Sequence, residues 1–109
     1  MAAIHREGSG LILGSHDEIA EVLSRSLSQS GIVLNERDLA PAFFDLSTRI
    51  AGELFQKIIN YHSLLAIVVV DPARYGERFS ELVHEHQDHS HIRFFKNQTD
   101  AELWLTAVT

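Results

Sequence analysis

Seven consecutive apolar residues, Leu64 to Val70, run into Asp71-Pro72. No other stretch constrains the fold as strongly. A strand of alternating polarity can leave one face in water. A strand that is apolar at every position must be covered on both faces, as the central strand of a parallel sheet is. Pro72 has no amide to continue a ladder and ends the run. Upstream, Ile50, Ala51, Leu54, Phe55, Ile58 and Ile59 recur at helical spacing, with Arg49, Glu53, Gln56, Lys57 and Asn60 opposite. The spacing predicts a helix from about Ser47 to Tyr61, feeding a buried strand.

The flanking sequence extends this pattern on both sides. Ala2 to Arg6 and Leu11 to Leu13 read as a strand pair joined by a glycine-rich turn, antiparallel to one another. Ser15-His16-Asp17-Glu18 is a capping-box pattern, and Ile19, Val22, Leu23 and Leu27 give the following helix an apolar face. Gly31 is placed to stop that helix, and Ile32 to Leu34 is a short apolar strand. Asn35 to Ala42 reads as a polar loop in which Pro41 bars a helix. A further helix is expected from Tyr75 to Gln87, burying Phe79, Leu82 and Val83, then a strand from Ile92 to Phe95. Thr99-Asp100-Ala101-Glu102 reads as a second capping box, opening a last helix whose apolar face carries Leu103, Trp104 and Val108.

The expected order is β-β-α-β-α-β-α-β-α: one α/β domain over residues 1–109, with four helices on a four- to five-stranded, mixed but mostly parallel sheet. A chain of 109 residues can build such a core without staples, and with no cysteine it has no disulfides or thiolate metal ligands. The apolar run is far too short to cross a membrane. Residues 1–15 lack the basic start and long apolar block of a secretion signal, so a cytoplasmic protein is expected. The net charge of −6 disfavours nucleic acid, because the phosphate backbone is itself polyanionic. The seven histidines, protonated together in mild acid, would bring that charge near zero and lower solubility.

Two motifs carry chemistry. His84-Glu85-His86-Gln87-Asp88-His89 spells H-x-H-x-D-H, which resembles the metal-ligand signature of the metallo-β-lactamase superfamily. In that superfamily the string lies on a loop after a strand, in a longer chain with further ligands downstream. Here it falls at the end of an expected helix, where His84 and His86 are about 200° apart. His86 and His89 can approach at i,i+3, and His91 adds a third imidazole. The two readings are a metal site of His84, His86, His89 and His91, and a solvated helix end whose imidazolium groups suit the negative pole of the helix. Asp45-Leu46-Ser47-Thr48 precedes the central helix, either as an N-cap or as an anion or phosphorylation site. Asp71, at the carboxyl end of the central strand, lies where open α/β sheets place ligands, and with Asn35 and Asp45 it marks a third, small-molecule reading. The phosphate-binding glycine loops and the nucleophile-elbow motif are absent from the sequence, and no nucleophile–base pair can be assigned, so no catalytic residue and no cofactor is expected.

Phe43-Phe44-Asp45-Leu46, Thr48, Ala51-Gly52-Glu53-Leu54, Gln56-Lys57, Asn60-Tyr61 and Leu65-Ala66-Ile67-Val68 together resemble a bacterial family catalogued as domain of unknown function 4180. The resemblance extends over nearly the whole chain and implies a small single-domain α/β protein with no established activity. Arg49 departs from it, standing where that family tends to have glycine, and the histidine-rich stretch lies outside it. The element order is also similar to the STAS fold of anti-sigma-factor antagonists. There an acidic-then-serine loop enters a helix, and phosphorylation of the serine controls partner binding. Asp45-Leu46-Ser47-Thr48 stands in the corresponding place, with Leu46 intervening and Ser47 and Thr48 equally placed. The resemblance implies a non-enzymatic regulatory module binding a protein partner through Phe44, Asp45, Ser47, Thr48 and Arg49. A homodimer is expected from the exposed edges and helix faces that such small modules present.

Overall fold

The computed structural model describes residues 13–108. Eight regular elements follow in chain order: α1 (Ile19–Ser28), β1 (Ile32–Asn35), α2 (Pro41–Phe44), α3 (Ile50–Asn60), β2 (Leu65–Val68), α4 (Glu77–Glu85), β3 (Ile92–Phe95) and α5 (Gln98–Val108). The strands form one parallel sheet in the order β1-β2-β3. Leu65 lies between Ile32 and Ile92, and Val68 between Asn35 and Phe95. β2 is therefore the central strand, and all four of its residues are buried.

The pleat sorts the strand residues between two cores. Ile32, Leu34, Leu65, Ile67 and Ile92 join α1, α3 and α4 through Val22, Leu54, Ile58 and Phe79. Val33, Ala66 and Val68 face the other way and cluster with Ala101, Trp104 and Leu105 of α5, with Leu64 and Phe95 packed against them. Among the described residues one face thus carries a helical layer and the other a single helix, at whose rim the Arg93 guanidinium lies 5.3 Å from the Trp104 ring. Phe43 and Phe79 are fully enclosed on the thicker side, where removing either ring would cost about 3–5 kcal/mol.

The Ser15 box forms as expected, with the Ser15 amide donating to Glu18 Oε1 at 2.8 Å. It opens a 3-10 turn, His16–Glu18, that leads into α1. α1 ends ahead of Gly31, whose φ of 122° and tight contacts (an added Cβ would lie 3.0 Å from Leu105 Cδ2) admit only glycine without strain.

Other expectations need correction. The described residues hold three strands, not four to five, and five helices, not four. The first strand of the expected hairpin lies outside the described residues. Leu13, from the second, makes a single parallel bridge to Leu39. Pro41 starts α2 instead of barring it, because a helix's first residue has no use for an amide hydrogen. The helix expected from Tyr75 to Gln87 is divided. Pro72–Tyr75 is a 3-10 turn, Gly76 at φ 104° breaks the path, and α4 begins at Glu77. The second capping box does not form. α5 starts at Gln98, and Asn97 Oδ1 accepts from the Asp100 amide at 2.8 Å, so Thr99 already lies inside the helix.

Candidate functional site

The helix expected to start at Ser47 starts at Ile50. Between α2 and α3 the chain makes a 3-10 turn, Leu46–Thr48, and then passes through Arg49 at φ 66°, ψ 10°. This left-handed conformation costs a non-glycine residue about 1 kcal/mol. It turns the chain sharply, so Ser47 does not cap α3, and Thr48 Oγ1 accepts only a long bond, 3.4 Å, from the Ile50 amide. Asp45 caps the turn instead, accepting from the Ser47 amide at 3.1 Å and from Ser47 Oγ at 2.7 Å. These donors hold the Asp45 carboxyl below its ordinary range.

The two neighbouring hydroxyls have different roles. Ser47 is exposed, and its bond to Asp45 stays within the turn. Thr48 is half-buried, and its Oγ1 lies 2.8 Å from both the Ala42 and Asp45 carbonyl oxygens, to which its single proton donates. Thr48 ties α2 to the turn, while Ser47 faces solvent.

Leu46 separates two depressions. One, of about 390 Å³, lies between the Asp45–Ser47 turn and Tyr75 to Phe79. Phe44 forms its floor, stacked on Tyr75 at 3.7 Å and edge-on to Phe79 at 5.1 Å. Tyr75 donates to Glu36, and that bond raises the phenol's pKa. Glu36 also accepts from the Val70 amide at 3.1 Å, binding the ends of β1 and β2. The other depression, of about 420 Å³, is bounded by His16, Leu46, Arg49, Gly52, Glu53 and Leu82. Here His16 Nδ1 lies 2.5 Å from Glu53 Oε1, and Nε2 lies 2.9 Å from the Thr48 carbonyl. Both partners accept only, so both ring nitrogens must donate. The ring is held as imidazolium, and its pKa is raised chiefly by the Glu53 carboxylate. Sequence reading gave His16 only a place in a capping box. Glu53 is 37 positions away, and nothing local signals the pair.

The histidine string is placed differently from the metal reading. His84 is exposed on the last turn of α4. His86, His89, His91 and His62 form a row with ring centroids 5.1, 6.2 and 6.2 Å apart. Three Nδ1 atoms in this row are engaged with backbone. His86 Nδ1 lies 2.8 Å from the Leu82 carbonyl and His91 Nδ1 lies 2.9 Å from that of Ser63. His89 Nδ1 accepts from the amides of His91 and Ile92 at 3.0 and 3.1 Å. Among the described residues no three His, Asp or Glu side chains are placed to hold a metal ion. The row caps the start of β3. Burial, followed by the charges of His86, His91 and Arg93, lowers the pKa of His89.

Each residue of the expected small-molecule set has a bond within the fold. The Asn35 side chain donates to Gln98 Oε1 at 2.8 Å, fastening β1 to α5, and Asp71 caps the turn after β2. Asp45 belongs to the turn beyond α2. No helix among the described residues is long and apolar enough to cross a membrane.

What the fold and these residues define is a small α/β domain with a cleft on either side of one tight turn. The family described as Domain of unknown function (DUF4180) matches residues 2–105, and the chain belongs to it. No curated protein and no solved structure matches the chain.

Proposed function

We propose that this chain is a non-enzymatic, cytoplasmic, STAS-like module that binds a protein partner through the surface from Phe44 to Arg49. The observation that carries this reading is the turn itself. Asp45, Ser47 and Arg49 are exposed side by side on a ridge whose foot, Leu46, walls both depressions. A hydrogen-bonded ridge between two clefts offers a partner shape as well as charge.

Phosphorylation is the proposed control, and the geometry favours Ser47 over Thr48 as its target. Ser47 is solvent-facing, whereas Thr48 is spent on two carbonyls. A phosphate on Ser47 would remove the donor that lies 2.7 Å from Asp45 and set about two negative charges beside that carboxylate. Immobilised wild type and Ser47→Glu, exposed to lysate of the source cell, test the switch. Different retained proteins are expected. The same set on both, or none on either, ends the switch reading.

A further inference from the structure

Two residues three positions apart on one cleft each contradict what their backbone favours. Arg49 holds a left-handed conformation that glycine adopts freely. Gly52 holds an ordinary helical position in α3, where alanine would be more stable. Gly52 is exposed, and no atom outside its own helix backbone and chain neighbours lies within 4 Å of where its Cβ would stand. Among the described residues nothing requires position 52 to lack a side chain. The fold alone would be better served by the reverse arrangement, with glycine at 49 and a side chain at 52.

Both residues line the same depression of about 420 Å³. That size falls within the range of small-molecule sites, and Leu46, Ala51 and Leu82 give it apolar walls. Its charges do not cancel. His16 and Glu53 neutralise one another, while the Arg49 guanidinium has no hydrogen-bond or ion-pair partner among the described residues. The lining therefore presents one unpaired guanidinium in a protein whose net charge, with its histidines neutral, is −6. A guanidinium pairs best with a planar carboxylate, through two parallel hydrogen bonds.

We propose that the cleft between His16, Leu46, Arg49, Gly52 and Leu82 binds a small organic carboxylate with an apolar body. Arg49 takes the carboxylate. The body lies on Leu46 and Leu82, and the bare backbone at Gly52 lets it approach α3 closely. This site shares Leu46 and Arg49 with the proposed partner surface, but it does not depend on a partner and survives if none is found.

Sodium octanoate, with 1-octanol as the uncharged control, tests this in the full chain by NMR of the backbone amides. Octanoate is expected to shift the Ala51 and Gly52 resonances saturably, and octanol to do so at least about tenfold more weakly. Arg49→Gly and Gly52→Leu are then compared with wild type. Each is expected to raise the thermal midpoint by about 2–5 °C while weakening octanoate binding at least about tenfold. That pairing of gained stability with lost binding cannot come from a residue that serves only the fold. No saturable shift, an equal response to octanol, or binding unchanged in both variants would overturn the proposal. So would a loss of stability in both, which would mean that Arg49 and Gly52 serve the fold after all.

Discussion

His16 and Glu53 meet at 2.5 Å, tying the turn before α1 to the first turn of α3. The same imidazole reaches the Thr48 carbonyl, so one ring joins two helices and the connection between α2 and α3. The arrangement requires the doubly protonated ring, and the pKa of His16 is correspondingly raised. A raised histidine pKa contributes stability that is complete below the unfolded value and lost as pH rises through the folded one. The advantage of wild type over His16→Ala, measured by urea denaturation, should be complete below the unfolded pKa of about 6.5 and shrink as pH rises above it. A constant difference would show that the ring is not held as imidazolium.

His89 behaves in the opposite sense. Its Nδ1 accepts from the two amides that open β3, and its pKa is lowered. The stabilising neutral form is fully populated above the unfolded pKa of about 6.5, and its contribution is lost as pH falls through the lower folded value. Hydrogen exchange at the His91 and Ile92 amides, corrected for its intrinsic pH dependence, should accelerate through that window. His89→Ala should cost about 1–2 kcal/mol near neutral pH, because two amides lose their acceptor.

The buried hydroxyls of Ser26 and Ser63 form a short relay. Ser63 Oγ donates to Ser26 Oγ at 2.8 Å, and Ser26 Oγ donates to the Leu23 carbonyl at 2.7 Å. Ser26→Ala leaves the Ser63 proton unsatisfied in the interior and should cost about 1–3 kcal/mol. Adding Ser63→Ala removes the orphan, so the double variant should be more stable than Ser26→Ala alone. Denaturation midpoints of the three variants check the sign, and a double variant weaker than the single would refute the relay.

Ser47 and Thr48 should separate cleanly on substitution. Thr48→Val removes the proton shared by two carbonyls across the α2–α3 connection and should cost about 1–2 kcal/mol. Ser47→Ala loses only an exposed bond within its own turn and should stay within about 0.5 kcal/mol of wild type. Thermal unfolding of both proteins measures the contrast. Equal losses would contradict the inward and outward placement of the two hydroxyls.

Much of this fold is written in local pattern. The apolar run around β2 forced a central strand because no half-wet position exists for it, and β2 is central. The stripes of α1 and α3 and the Ser15 box are likewise short-range, since residues three and four apart meet on a helix whatever surrounds it. Periodicity could not reveal the break at Arg49, because a single left-handed residue leaves the apolar spacing of α3 intact. The sharp features of the candidate clefts depend on residues far apart in the chain. His16 against Glu53, and Phe44 stacked on Tyr75, exist only once the helices have docked on the sheet. Local pattern was enough to say which segments are buried and that helices alternate with strands, but not that α2 would form at Pro41 or that the helix after β2 would break at Gly76. Which side chains face one another came from the packed fold, because docking brings together groups that no local spacing relates.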